Sequence, residues 1–172
     1  MSNSLKHQDV QPGPSTQRTL RDALGQFTTG VTLITTQTAA GPAGFTANSF
    51  ASVSLDPALV LWSAARSSAR FSIFAAAPTY SIHILAQDQI DLARRFARGG
   101  SGFDDLSTHN SADGNPVIPG ALARFDCHQY ATHDGGDHLI ILGRILRFAL
   151  RDDRPLAFCQ GDFGRFVPAT ER

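Results

Sequence analysis

Apolar positions recur along this chain at two different periods. Between residues 16 and 27, Leu20, Ala23, Leu24 and Phe27 fall at the three-and-four spacing of one helix face. Ser15 and Thr16 are candidate caps, Gly25 weakens the helix, and Gly30 ends it. The period then shortens. Val31 to Gln37 is a β-branched, strand-like run, and Ala39 to Gly44 follows with turn composition. A second extended segment runs from Phe45 to Val53 and a third from Ala58 to Ala64, separated by the turn signal Asp56-Pro57. The third is almost continuously apolar, which predicts burial on both faces. A helix is expected from Ser67 or Ser68 to about Ala76, with Phe71 and Phe74 inward, then a strand over Tyr80 to Leu85. Asp88 to Ala97 reads as a further helix with Ile90, Ala93 and Phe96 on its apolar side.

The stretch from Arg98 to Gly120 is rich in Gly, Ser, Asp and Asn and predicts a long functional or mobile loop. Two long strands follow, Leu122 to Thr132 and His138 to Leu150, joined by a hairpin at Asp134-Gly135-Gly136-Asp137. A last pair, Leu156 to Gln160 and Phe163 to Val167, closes the chain. Six or seven mostly sequential strands against three helices predict a mainly β fold, an antiparallel barrel with flanking helices. Residues 1–15 read as a polar, mobile arm and 16–168 as one domain.

Composition narrows the function. With 172 residues, 42% of them hydrophobic, one sizeable core is possible. No apolar run approaches the ~20 residues of a bilayer-spanning helix, so no membrane association is expected. The N-terminal segment lacks the apolar centre of a signal peptide. Fifteen basic and fifteen acidic side chains cancel, leaving no electrostatic footprint for nucleic acid. Two cysteines, Cys127 and Cys159, fit a reducing compartment, so a cytoplasmic location is expected.

Several common chemistries leave no trace: there is no phosphate-binding G-x-x-x-x-G-K-[ST] loop, no strand-to-helix G-x-G-x-x-G and no G-x-S-x-G elbow. Cys127, His128, His133, Asp134, Asp137 and His138 form a candidate metal cluster, yet strand alternation turns Cys127 and His128 to opposite faces. No metal is assigned. The segment Phe45 to Ser54 carries Thr46, Asn48, Ser49, Ser52 and Ser54, small polar side chains that a purely structural strand does not need. Side chains so slim let a flat ligand reach backbone N–H and C=O groups; ordinary solvent-facing alternation gives the same pattern. In Arg66-Ser67-Ser68-Ala69-Arg70, a serine cap at a helix start with Arg66 beside it forms a candidate phosphate site.

These residues together resemble the flavin reductase-like family, small FMN-binding split-barrel proteins that serve as reductases for two-component flavin monooxygenases. The resemblance spans about Leu20 to Phe166. It rests on Phe27-Thr28-Thr29-Gly30-Val31-Thr32, Gly44 to Phe50 with Ser52 to Pro57, Arg66-Ser67-Ser68, Leu92 to Ala97, Gly136-Asp137-His138 and Gly161-Asp162-Phe163. It implies a homodimeric split β-barrel that transfers a hydride from NADH or NADPH to FMN or FAD and supplies reduced flavin to a partner monooxygenase. A non-catalytic flavin carrier or sensor is the alternative on the same fold.

By the same resemblance, Thr46, Ala47, Asn48 and Ser49 hold the isoalloxazine. Ser52, Ser63, Ala64 and Ala65 line the flavin further along. Arg66, Ser67 and Ser68 take the phosphate, and Phe96 and Ala97 close over the ring. His138 is the candidate catalytic residue, a nicotinamide-positioning group or local proton donor, with Phe158, Asp162 and Phe163 on the nicotinamide side. Relatives often carry Gly, then Lys or Arg, then Tyr where this chain has Gly161-Asp162-Phe163, and a tyrosine position is Phe158 here. An aspartate in place of a cation weakens attraction for the dinucleotide's phosphates.

Overall fold

The computed structural model describes residues 9–98 and 102–169. In chain order the elements are α1 (Gln17–Leu24), β1 (Thr29–Gly30), β2 (Thr32–Thr38), β3 (Gly41–Ala47), β4 (Ala51–Leu55), β5 (Ala58–Ala65), α2 (Phe71–Ala76), β6 (Thr79–Ile84), α3 (Ile90–Ala97), β7 (His109–Asn110), β8 (Pro116–Val117), β9 (Ala123–Gly135), β10 (His138–Leu150), β11 (Leu156–Cys159) and β12 (Asp162–Arg165). A short 3-10 turn at Pro14–Thr16 precedes α1. Seven antiparallel strands form the main sheet in the order β3-β2-β6-β9-β10-β5-β4. Strands β1, β11 and β12 make a small second sheet, and β7 pairs with β8.

Strands β3 and β4 are successive in the chain yet lie at opposite edges of the main sheet. Only Asn48, Ser49 and Phe50 separate them. Three residues span roughly 10 Å at most, so the sheet has to curl until its edges meet. Ser49 fastens the seam: its hydroxyl accepts from Ser63 N–H at 2.9 Å and donates to Ser63 C=O at 3.3 Å. The result is the mainly β, barrel-like fold expected, with its helices outside the sheet.

Two clusters fill the interior. One lies inside the curl and contains Phe45, Trp62, Phe74, Tyr80, Ile82 and Ile141, with Phe45 and Trp62 ring centroids 5.5 Å apart. The other lies between the sheet, α3 and the small sheet, and contains Val31, Leu33, Leu85, Phe96, Phe103 and Leu156. Strand β2 separates them, sending Ile34 to the first and Leu33 to the second. That double coverage accounts for its β-branched run. Strand β5 was expected to be buried on both faces. Instead Val60, Trp62 and Ala64 face the core while Leu61 and Ser63 stay half-exposed.

Other expectations also change. The segment Gly41–Gly44 is strand, not turn, because β3 is an edge strand that tolerates Pro42. The extended segment expected over Phe45 to Val53 breaks at residues 48–50 to cross the seam. Helix α2 begins at Phe71, with Arg70 as its cap residue, so Ser67 and Ser68 form a turn before it. The loop after Arg98 contains the β7–β8 pair, and residues 99–101 of it lie outside the described residues, as do residues 1–8 of the expected arm. The apolar face of α1 is uncovered: Leu20, Leu24 and Phe27 are 41%, 68% and 79% exposed. Periodicity identifies an apolar face; among the described residues of one copy no element lies over it. Among the described residues, no helix is long and apolar enough to cross a membrane.

One buried polar group ties the 103–118 region to the sheet. His83 on β6 is fully buried. Ile118 N–H donates to its Nε2 at 3.2 Å, so Nδ1 carries the proton and donates to Leu33 C=O, 3.0 Å away. Burial, with smaller effects from Arg124 and His109, lowers its pKa from 6.5 to about 4, against the raising effect of the Leu33 carbonyl. The unfolded chain therefore binds a proton below pH 6.5 that the folded chain refuses until about pH 4, so stability falls as pH drops through that window. The full effect is of the order of 3 kcal/mol. Urea unfolding at pH 7.5 and 4.5 should show this loss, and His83→Gln should reduce the difference between the two pH values; an unchanged difference would remove His83 as its source.

Candidate functional site

The slim residues of β3 line one wall of an open groove. Three recesses follow one another along it. The first, about 690 Å³, is lined by Gly44, Thr46, Ala65, Ser67, Ser68, Arg70, Ala97 and Arg98 among others. The second, about 160 Å³, is lined by Val31, Thr46, Ala47, Asn48, Ala97 and the rings of Phe158 and Phe163. The third, about 640 Å³, takes in Asn48 and Phe158 and extends to Phe27, Thr29, Arg21 and Asp22. Thr46 and Ala97 are common to the first two, and Asn48 and Phe158 to the last two. The small apolar recess is therefore the middle of the groove.

Packing behind β3 keeps this wall thin. Phe96, fully buried on α3, lies so close to Gly44 that any Cβ there would overlap its ring. Thr46 Oγ1 donates to Ala93 C=O at 2.9 Å, a second tie between β3 and α3. These contacts set Ala97 and Arg98, at the end of α3, along the groove.

The charged end of the groove is the turn after β5. Ser68 N–H donates to Ala65 C=O at 3.0 Å, Phe71 N–H donates to Ser68 C=O at 2.9 Å, and Arg70 N–H donates to Ser68 Oγ at 3.3 Å. Arg70 folds back with its guanidinium 5.5 Å from the Phe45 ring centroid. Among the described residues its Nη1 is buried without a hydrogen-bond partner, and desolvation lowers its pKa from the usual arginine value. A buried, unpaired guanidinium N–H is costly unless an acceptor arrives. Beside two serine hydroxyls, this environment fits an anionic oxygen such as a phosphate.

Several of the predicted residues meet here. Thr46, Ala47, Asn48, Ala65, Ser67, Ser68 and Ala97 share the groove, with Phe158 and Phe163 as its aromatic side, their ring centroids 5.3 Å apart. Others do not. Ala64 and Phe96 have no exposed surface, so they support the wall from within the core. Arg66 points away: its guanidinium bonds Asp134 at 2.7 Å and Gly136 C=O at 3.1 Å, holding the β9–β10 tip against the turn. Arg70 stands where Arg66 was expected. The displacement has a local cause, because α2 starts after Arg70 and not at the serines.

Ser49 and Ser63 form the seam, and Ser52 lies exposed on β4. His138 pairs across β10–β5 with Ala65 on the sheet face opposite the core, and its Nδ1 lies 2.7 Å from Asp137 Oδ1. That contact lowers the Asp137 pKa through the hydrogen bond and then the imidazole's charge. Neither His138 nor the exposed Asp162 lines the groove of its own chain. The metal alternative does not assemble: Cys127 is buried with its Sγ 3.6 Å from Phe125 C=O, and among the described residues no three Cys, His, Asp or Glu side chains converge. Arg21, Phe27, Thr29 and Arg98 are groove residues that patterning did not single out as ligand-binding.

Comparison with known proteins agrees with this geometry. Residues 24–166 match the model of the flavin reductase like domain, and the chain belongs to that family. It is 56% identical over 155 residues to the FMN reductase (NADH) SmoA of Agrobacterium fabrum, covering 90% of this chain and 89% of that protein. It is 46% identical over 154 residues to the reductase component of a flavin-dependent trigonelline monooxygenase of Acinetobacter baylyi. That match covers 88% of this chain and 49% of the relative, so the chain spans about half of that relative's length. Among solved structures, an NADH:FAD oxidoreductase of Streptomyces globisporus in complex with NAD and FAD fragments matches with a TM-score of 0.87 and 34% identity. This match covers 95% of this chain and all of that one (100%).

The thin wall depends on Gly44. Gly44→Ala should cost about 1–3 kcal/mol of stability through overpacking against Phe96, and Phe96→Leu in the same chain should recover part of it. Equal stability of Gly44→Ala and the parent in urea unfolding would contradict the contact.

Proposed function

We propose that this chain reduces FMN with NADH and releases the reduced flavin to a separate monooxygenase component. The carrying observation is the groove itself: slim backbone along β3, an apolar middle, and the unpaired buried Nη1 of Arg70 at one end. In this reading Ser67, Ser68 and Arg70 hold the phosphate. Thr46, Ala47 and Asn48 lie against the ring through their backbone and short side chains. When bound, FMN supplies an electrophilic N5 that accepts a hydride from the C4 position of the nicotinamide. The chain's part is placement: Thr46, Ala47, Asn48 and Phe158 would hold the flavin and nicotinamide rings against each other, the orientation that hydride transfer requires. Ala97, Phe158 and Phe163 exclude water from that region.

FMN with NADH is favoured over FAD and NADPH by the 56% identity to a protein named for that pair. The alternative of a carrier or sensor is an outcome of the same assay. Anaerobic addition of NADH should bleach FMN near ~450 nm in the presence of the protein. Arg70→Ala should weaken FMN binding about tenfold, one charge-assisted hydrogen bond's worth, while leaving riboflavin binding much less affected. Flavin binding without bleaching by NADH or NADPH would overturn the reductase reading and leave a carrier; equal losses for FMN and riboflavin would remove Arg70 from the phosphate.

A homodimer belongs to the same reading. Besides the α1 face, Val53 and Leu55 on β4 and Leu146, Phe148 and Leu150 on β10 are exposed. Apolar surface of that extent is unusual on a monomer, and a second copy of the chain is the occupant we assign to it. His138 then acts at the nicotinamide side across the assembled interface, with the Asp137 carboxylate fixing its ring. Light scattering should return twice the monomer mass, and His138→Ala should lower turnover or raise KM for NADH while FMN affinity stays within twofold. A monomer, or unchanged kinetics, would contradict the respective part.

A further inference from the structure

His138 opens β10 at the tip of the β9–β10 hairpin, and a residue of another element holds that tip. Gly135 and Gly136 adjoin in the turn, with Gly136 at φ +74°, so the turn has little stiffness of its own. Arg66, the residue after β5, meets it in three places. Its backbone N–H donates to Asp137 C=O at 2.9 Å, its Nε to Gly136 C=O at 3.1 Å, and its Nη2 to Asp134 Oδ1 at 2.7 Å. Among the described residues, no other element sends a side-chain hydrogen bond to residues 134–137. The guanidinium also lies 5.5 Å from the centroid of the Phe71 ring at the start of α2, which fixes its own direction. From the clamped turn the path to the imidazole is short. Asp137 Oδ1 is 2.7 Å from His138 Nδ1, and His138 pairs with Ala65, the residue before Arg66.

Resting on the reading of His138 at the nicotinamide side, we propose that Arg66 is a positioning residue for the hydride transfer. It holds the hairpin tip so that Asp137 presents the His138 imidazole in one orientation. Arg66 lines none of the three recesses, so it acts through the tip and not on a ligand. Ser67 and Ser68, the next two residues, lie in the first recess. One segment thus carries the flavin's phosphate turn and the support of the histidine. Stability is not its purpose: the Arg66 and Asp134 side chains are 43% and 80% exposed, and an exposed pair contributes little. Orientation is. A planar fork that engages a carbonyl and a carboxylate together fixes direction as well as distance, which a lysine ammonium does less well. A misplaced group costs rate even where the fold is intact.

The test is a mutant cycle between Arg66 and His138 in the full chain, with NADH varied at saturating FMN under anaerobic conditions. Arg66→Met keeps the aliphatic stem and removes the fork. It should raise KM for NADH about fivefold while kcat falls less than twofold, with FMN and riboflavin affinities both within twofold of the parent. Arg66→Lys should recover part of the loss, and Asp134→Asn should raise KM by a smaller factor than Arg66→Met. In the His138→Ala background, Arg66→Met should add less than twofold, because the group it positions is gone. An unchanged KM in Arg66→Met, or the full rise repeated on top of His138→Ala, would overturn the assignment. A loss of FMN affinity without a loss for riboflavin would overturn it too, by making Arg66 a direct phosphate ligand. If His138→Ala itself changes neither KM nor kcat, the reading of His138 fails and the proposal with it. If His138→Ala acts and Arg66→Met does not, the assignment of Arg66 alone fails.

Discussion

A ring laid on bare backbone is the contact on which this structure depends. Phe96 occupies the space that any side chain at position 44 would need, so α3 approaches β3 more closely than a helix approaches a strand across two side chains. Deleting such a buried ring costs about 3–5 kcal/mol in a typical core. Much of the second hydrophobic cluster, including Ala93 and Phe103, packs around it. The Thr46–Ala93 hydrogen bond fixes the register of the two elements at 2.9 Å. Groove depth, the position of Ala97 and the thinness of the β3 wall all follow from that approach.

The groove has chemical polarity along its length. Arg70 and Arg98 stand at one end, Arg21 at the other, and alanine, valine and phenylalanine lie between. Two planar rings, each carrying an anionic tail, match such an arrangement when their tails diverge. The protein has little covalent chemistry to perform. Its contributions are placement, exclusion of water and, at Arg70, a cation held in a partly desolvated position, where its interactions exceed those in bulk water. The aspartate at position 162, exposed and outside the groove, supplies no cation to the tail of the dinucleotide.

Much of the architecture was legible from local patterning. The Asp56-Pro57 and Gly136-Asp137 turns join strands whose pairing runs directly from them, Leu55 with Ala58 and Gly135 with His138. Short-range turn chemistry decides such hairpins, so a sequence carries them openly. The misreadings come from long-range facts. Gly41 to Gly44 has turn composition, yet it is strand because it lies on a sheet edge beside Phe96. The α1 periodicity is real, but what covers that face is not encoded in the helix itself. Arg66 and Arg70 are equivalent by composition; the hairpin tip that captures Arg66 arrives from residues 134–137, far along the chain. The groove lining from β3 and the serine turn was legible because slim polar runs are rare in strands. Arg21 and Thr29 were not, since their place in the groove depends on the return of the C-terminal hairpin to α1.

The central claim is that β3 and the serine turn together form the flavin's seat. A crystal structure of the protein soaked with FMN tests it most directly. The account predicts the ring against Thr46 to Asn48, with a phosphate oxygen within hydrogen-bond distance of Arg70 Nη1 and the Ser68 hydroxyl. A ring bound elsewhere on the molecule, or Arg70 Nη1 still unpaired beside bound FMN, would contradict it.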